Sequence, residues 1–152
     1  MYHGFNKPSI VLILGLFFSN YLYAAGDMTA QQPVEMTVSL GDADNKLRFY
    51  PATLEFETGK FYKLVIKNPS SQKHYFTAEG LSRSVFTRKV QLLSKTNETV
   101  AEVKGQIYEI EVYPGGTAEW WFVPVKTLKS SKLHCSIEGH TEAGMTGSIS
   151  IK

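Results

Sequence analysis

The sequence predicts an all-β sandwich or barrel. Short alternating, β-branched and aromatic runs recur along it, divided by Gly, Pro, Asn and Asp clusters at intervals of about 8–12 residues. No stretch sustains a competing helical period. The 152-residue chain is long enough for one domain, and the part beyond residue 25 can bury a hydrophobic core without cross-links.

In chain order, residues 34–40 alternate as a half-buried strand, and 41–45 (Gly-Asp-Ala-Asp-Asn) turn the chain. Residues 47–50 are short and end at Pro51; 53–56 form another short extended piece, with 57–60 turning after it. Residues 61–68 are β-branched and aromatic, a clear strand that Asn68-Pro69 ends. Residues 74–77 are extended again. Residues 82–90 fit either one or two helical turns around Phe86 or an irregular loop. Residues 107–113 alternate cleanly, and Pro114-Gly115-Gly116 is a strong turn before the aromatic strand 117–123. Residues 133–137 and 147–151 supply the last strands. Trp120 and Trp121 are neighbours on a strand, so they face opposite sides: one indole in the core, the other outside it.

The first 25 residues differ in kind. Lys7, the apolar run 10–18 and the small pair Ala24-Ala25 form an export signal or a retained N-terminal anchor. Residues 26–33 are a polar, flexible leader, and the domain proper is 34–152. This places the protein in the periplasm, free or held to the inner membrane. Lys7 is the one charged side chain of the segment, leaving 15 Lys and Arg against 14 Asp and Glu. That balance gives no footprint for nucleic acid. Arg83, Arg88, Lys89, Lys126, Lys129 and Lys132 gather locally and read as a solvated rim. The Asn97-Glu98-Thr99 triplet is a chance match to a glycosylation site.

The chain has one cysteine, Cys135, and it opens a segment that places His140 and Met145 at five-residue steps. A lone thiol in an oxidising compartment needs protection by burial or by a metal. Thiolate, thioether and imidazole together favour copper. Gly139 and Gly144 stand just before His140 and Met145, where a bend without a Cβ aims the next side chain. His74, far upstream on its own strand, can complete a four-donor set. Such a set leaves no position open for substrate, which argues for a non-catalytic centre. His134 points away from Cys135 along the strand and reads as a surface or interface histidine. His3 lies in the export segment.

The Cys-x4-His-x4-Met segment, with a strand-borne histidine upstream, resembles the ligand loop of the type 1 (blue) copper proteins, the cupredoxins, and is closest in form to their rusticyanin-like members. The resemblance covers residues 34–152. It implies a cupredoxin-like Greek-key β-sandwich with one copper. His74, Cys135 and His140 would be equatorial ligands and Met145 axial. It implies a one-electron carrier, not an enzyme, whose partners are redox proteins such as a cytochrome c or a terminal oxidase. It also implies an electron port at the His140 edge, ringed by Ile137, Ala143 and Gly144. Tyr75 stands where many members have Asn or Ser, so the brace across to the ligand loop is altered. The alternatives are a copper-binding or copper-delivery protein and an accessory subunit of a respiratory oxidase.

Overall fold

A computed structural model describes residues 30–152, together with Met1. The expected export segment beyond Met1 and the first half of the leader, residues 26–29, lie outside the described residues. Eleven strands and one short helix follow in order: β1 (Val34–Leu40), β2 (Phe49–Tyr50), β3 (Thr53–Phe56), β4 (Tyr62–Lys67), β5 (His74–Thr77), α1 (Glu79–Ser82), β6 (Val85–Leu93), β7 (Thr99–Val103), β8 (Glu109–Val112), β9 (Thr117–Pro124), β10 (Leu128–His134) and β11 (Thr146–Ile151). They form two sheets, β2-β1-β4-β9-β6-β7 and β3-β11-β10-β5-β8. Most pairings are antiparallel; β1 with β4 and β11 with β3 are parallel.

The sandwich forms because strand alternation sends one face of each sheet inward. In β9, Ala118, Trp120 and Phe122 are buried, while Glu119 and Trp121 face out. Trp120 meets Phe76 and Phe122 edge-on, and Phe56 meets Phe122 the same way. Each such ring contributes roughly 1.5–3 kcal/mol by leaving water. The buried indole keeps a partner, its Nε1–H donating to Thr87 Oγ1 at 3.0 Å. Trp121 lies outside, with the Lys63 and Lys89 ammonium groups 5.4 and 5.0 Å from its ring.

Three stretches differ from the sequence reading. Of residues 82–90, Ser82 closes α1, Arg83 and Ser84 turn the chain, and 85–90, Phe86 included, belong to strand β6. A register shift between Thr87 and Lys89 leaves Arg88 as an extra residue, and this bulge breaks the alternation by which a strand is recognised. Strand β7 was not anticipated, because all five of its residues are exposed on this sheet edge and show no in-and-out pattern. Strand β10 begins earlier, at Leu128, and ends before Cys135; its shift between Leu128 and Ser131 and its polar sequence hide the pattern.

The strand ends define two poles. At one, the end of β1, the end of β4, the start of β5, the end of β10 and the start of β11 converge. All the expected metal ligands lie there.

Candidate metal centre

Each donor is set by a different local device. His74 opens β5, in register with Val112 of β8, and is 1% exposed. The loop before it is pinned by Asn68, whose Nδ2 donates to the Gln72 and Val112 carbonyls, both at 2.7 Å. Asn68 Oδ1 accepts from the Ser70 N–H at 3.0 Å and the Ser70 hydroxyl at 2.7 Å. Gly41, at the end of β1, forms the floor: a Cβ there would stand 3.4 Å from His74 Nε2 and 3.3 Å from the Ser70 Cβ. Its φ of 77° is open to glycine at no steric cost.

Cys135 follows β10 and is wholly buried. Its Sγ accepts a hydrogen bond from the Tyr75 backbone N–H at 3.3 Å. The loop beyond it closes on itself. The His140 N–H donates to the Ile137 carbonyl at 3.1 Å, the Met145 N–H to the His140 carbonyl at 2.9 Å, and the Cys135 N–H to the Met145 carbonyl at 3.2 Å. The Thr141 hydroxyl donates to the Cys135 carbonyl at 2.9 Å. Gly139 and Gly144 have φ of 80° and 105°, the left-handed bends expected before His140 and Met145.

These devices bring His74, Cys135 and His140 together, with their donor atoms all within 4.8 Å of one another. His140 Nδ1 stands 3.4 Å from Cys135 Sγ. The two imidazole centroids are 5.2 Å apart and tilted by 58°. Metal–nitrogen and metal–sulfur bonds of about 2.0–2.3 Å at near-tetrahedral angles place two such donors about 3.3–3.8 Å apart, so the Cys135–His140 spacing suits a shared ion, with His74 within 4.8 Å of both. The burial of His74 points the same way. Both of its ring nitrogens are buried without a hydrogen-bond partner, an arrangement that costs free energy in a metal-free interior. Burial, and then the neighbouring His140, lowers the His74 pKa, which keeps the imidazole neutral and ligand-competent. Met145 is 0% exposed at the end of the same loop. Among the described residues this is the one group of three such donors.

His134 stays out of the cluster, as its strand position implies. It is half-buried, and its backbone lies between Thr77 of β5 and Thr146 of β11, the strands that flank β10. Tyr75 answers the altered brace in an unexpected way. Its backbone supplies the bond to the sulfur, and its side chain faces Glu111 across the strand pair, where the carboxylate raises the phenol pKa. Asn68 and Gly41 were missed as site residues. Asn68-Pro69 read only as a strand terminator, although a buried Asn beside a turn also braces loops.

No protein-family model matches the sequence, and no curated protein matches it. Solved structures do. One is an auracyanin from Roseiflexus castenholzii in its dithionite-reduced form, at 15% identity and TM-score 0.52 over 80% of this chain and 99% of that one. The chain has the cupredoxin fold. Auracyanin A, a "blue" copper protein from Chloroflexus aurantiacus, matches at 15% identity and TM-score 0.51, over 80% of this chain and all of that one. A copper-containing nitrite reductase from Thermus scotoductus matches at 9% identity and TM-score 0.59 over 82% of this chain, but over only 32% of the enzyme. On this fold the His74, Cys135 and His140 group, with Met145 beside it in the chain, is consistent with a single type 1 copper site.

Proposed function

We propose that the protein is a one-electron carrier of the periplasm, in which His74, Cys135, His140 and Met145 would hold one copper. Three protein donors within 4.8 Å of one another at an enclosed sheet end carry this reading. Copper bound there would supply the Cu(II)/Cu(I) couple, which thiolate, imidazole and thioether donors together suit in both states. The protein's part is to keep the donors still. His74 is fixed by a strand and the Asn68 brace, and the 135–145 loop by its own backbone bonds, so a change of oxidation state moves little and electron transfer is fast. The Tyr75 N–H withdraws charge from the sulfur and favours the reduced state. His140, partly exposed between Ile137 and Ala143, is the site of electron exchange. A cytochrome c or a terminal oxidase fits as partner in that compartment.

The cupredoxin fold also occurs in enzymes, including the nitrite reductase above and a multicopper oxidase from Aquifex aeolicus, of which the chain spans about 29%. A carrier and a copper-delivery protein differ in exchange. Line broadening in mixtures of the oxidised and reduced protein measures self-exchange, and competition with a chelator measures release. Rapid self-exchange with copper retained supports the carrier. Release to the chelator within minutes supports delivery and overturns the proposal.

A further inference from the structure

The pole opposite the metal centre leaves large apolar side chains in solvent. Val34, Phe86 and Val125 are 45%, 62% and 65% exposed. Strand register gathers them at this end. Val34 pairs with Tyr62, which pairs with Phe122; Val85 pairs with Pro124; and the Val125 N–H donates to the Ser84 carbonyl at 2.9 Å. The seven residues of β1, Val34 first, lead to Gly41 and the His74 ring, a span of about 20 Å.

The same pole is cationic. The bulge at Arg88 puts two successive cations on the outer face, the Arg88 guanidinium 4.9 Å from the Phe61 ring and the Lys89 ammonium 5.0 Å from the Trp121 ring. Lys104 and Phe86 line one cleft with them. Arg83 and Lys126 flank Ser84, both exposed. Among the described residues the nearby carboxylates include Glu79, 4.0 Å from Arg83, and Glu102, 3.5 Å from both Lys89 and Lys104, with Glu35 and Glu57 each paired to a lysine of its own, Lys63 and Lys60. Cations therefore outnumber anions here, on a domain close to neutral overall. The ligand loop at the other pole carries Glu138 and Glu142 and no cation.

We propose that this pole rests on an anionic lipid surface, with Phe86 and Val125 entering the headgroup layer, Arg83, Arg88, Lys104 and Lys126 meeting lipid phosphates, and the metal centre facing away. Two features favour lipid over a protein partner. The apolar side chains are dispersed among cations instead of lining one groove, an arrangement suited to a fluid surface without fixed shape. The chain also enters the fold here: fifteen residues lie between the end of the apolar run at Phe18 and Val34, a reach of at most about 50 Å. Contact at this pole and attachment through that run are therefore geometrically compatible.

The test uses the full chain, 15N-labelled, on bicelles of phosphatidylcholine with or without phosphatidylglycerol, doped with a gadolinium-chelate lipid. Residues 10–18 can bring the chain to either bicelle, so the deciding readout is the footprint on the folded domain. The amides of Phe86, Arg88 and Val125 should lose most intensity and those of Gly139 and His140 least, and only where phosphatidylglycerol is present. Neutralising Arg88→Gln and Lys126→Gln should weaken the footprint about fivefold per charge, and Phe86→Ser should weaken it further with the unfolding temperature unchanged. A uniform footprint, one centred on the ligand loop, or one indifferent to lipid charge overturns the proposal. So does a Phe86→Ser variant that keeps the footprint but slows electron exchange with a detergent-solubilised oxidase, which would make the pole a protein-docking surface.

Discussion

Replacing Asn68 should disturb the fold and the metal centre together. The side chain is 1% exposed and makes four hydrogen bonds, donating to the carbonyls of Gln72 and Val112 and accepting from the N–H and hydroxyl of Ser70. Each contributes about 1 kcal/mol net, so Asn68→Ala removes about 4 kcal/mol. Gln72 is exposed and its carbonyl can be satisfied by water, which brings the loss to about 3 kcal/mol. For a domain of this size that lowers the unfolding temperature by about 10 °C. Asn68→Asp keeps the shape but turns a carboxylate oxygen toward two carbonyl oxygens in a buried place, which is worse than a missing side chain. At neutral pH the order of unfolding temperatures should be Asn, Ala, Asp. Acidification should narrow the gap between Ala and Asp, because a protonated carboxyl regains one donor. Circular dichroism melts of the metal-free chain give the order, and chelator competition should show weaker copper binding in both variants, since the 68–73 loop aims His74. An Ala variant within about 1 kcal/mol of the parent, or an Asp variant as stable as the parent, would refute the bracing role.

Other outcomes follow from the same geometry. If Met145 is the weak axial donor proposed for it, Met145→Leu should retain copper and raise its reduction potential in voltammetry; loss of the metal would overturn that role. His140→Gly should leave a gap that free imidazole refills with recovery of the visible band, whereas indifference to imidazole would count against His140 as the exchange edge. Burial followed by the nearby His140 lowers the His74 pKa, and burial followed by Lys132 lowers that of His134, both from 6.5. The unfolded chain therefore binds protons that the folded one refuses, and metal-free stability should decline as pH falls through about 6.5 toward the lowered folded values. Urea midpoints measured between about pH 7.5 and 5.5 should fall with acid, less so in His74→Gln; midpoints that rise with acid would contradict the sign.

The metal centre was more legible than the sheets around it. Cys135, His140 and Met145 lie on one short segment, and the glycines before the last two report backbone bends that the φ angles of Gly139 and Gly144 display. His74 was legible by chemistry, but the meeting of β5 with the 135–145 loop is a property of sheet order, which local pattern does not encode. The same holds for the parallel pairs of β1 with β4 and β11 with β3. Strand β6 was obscured by the bulge at Arg88, and β7 by its uniform exposure at the sheet edge. Trp120 and Trp121 show the opposite case: two adjacent indoles on a strand must part, and the structure buries the first and leaves the second under two lysines. Asn68 escaped notice because its side-chain partners include the carbonyl of Val112, 44 residues away.

The proposed function stands or falls on whether His74, Cys135 and His140 hold one redox-active copper. Titrating the metal-free chain with Cu(II) and recording the visible spectrum tests it most directly. The expected result is an intense thiolate-to-copper band that saturates at one equivalent, bleaches with ascorbate, returns on reoxidation, and is absent in Cys135→Ala. A chain that binds no copper, or binds it without colour, would contradict it.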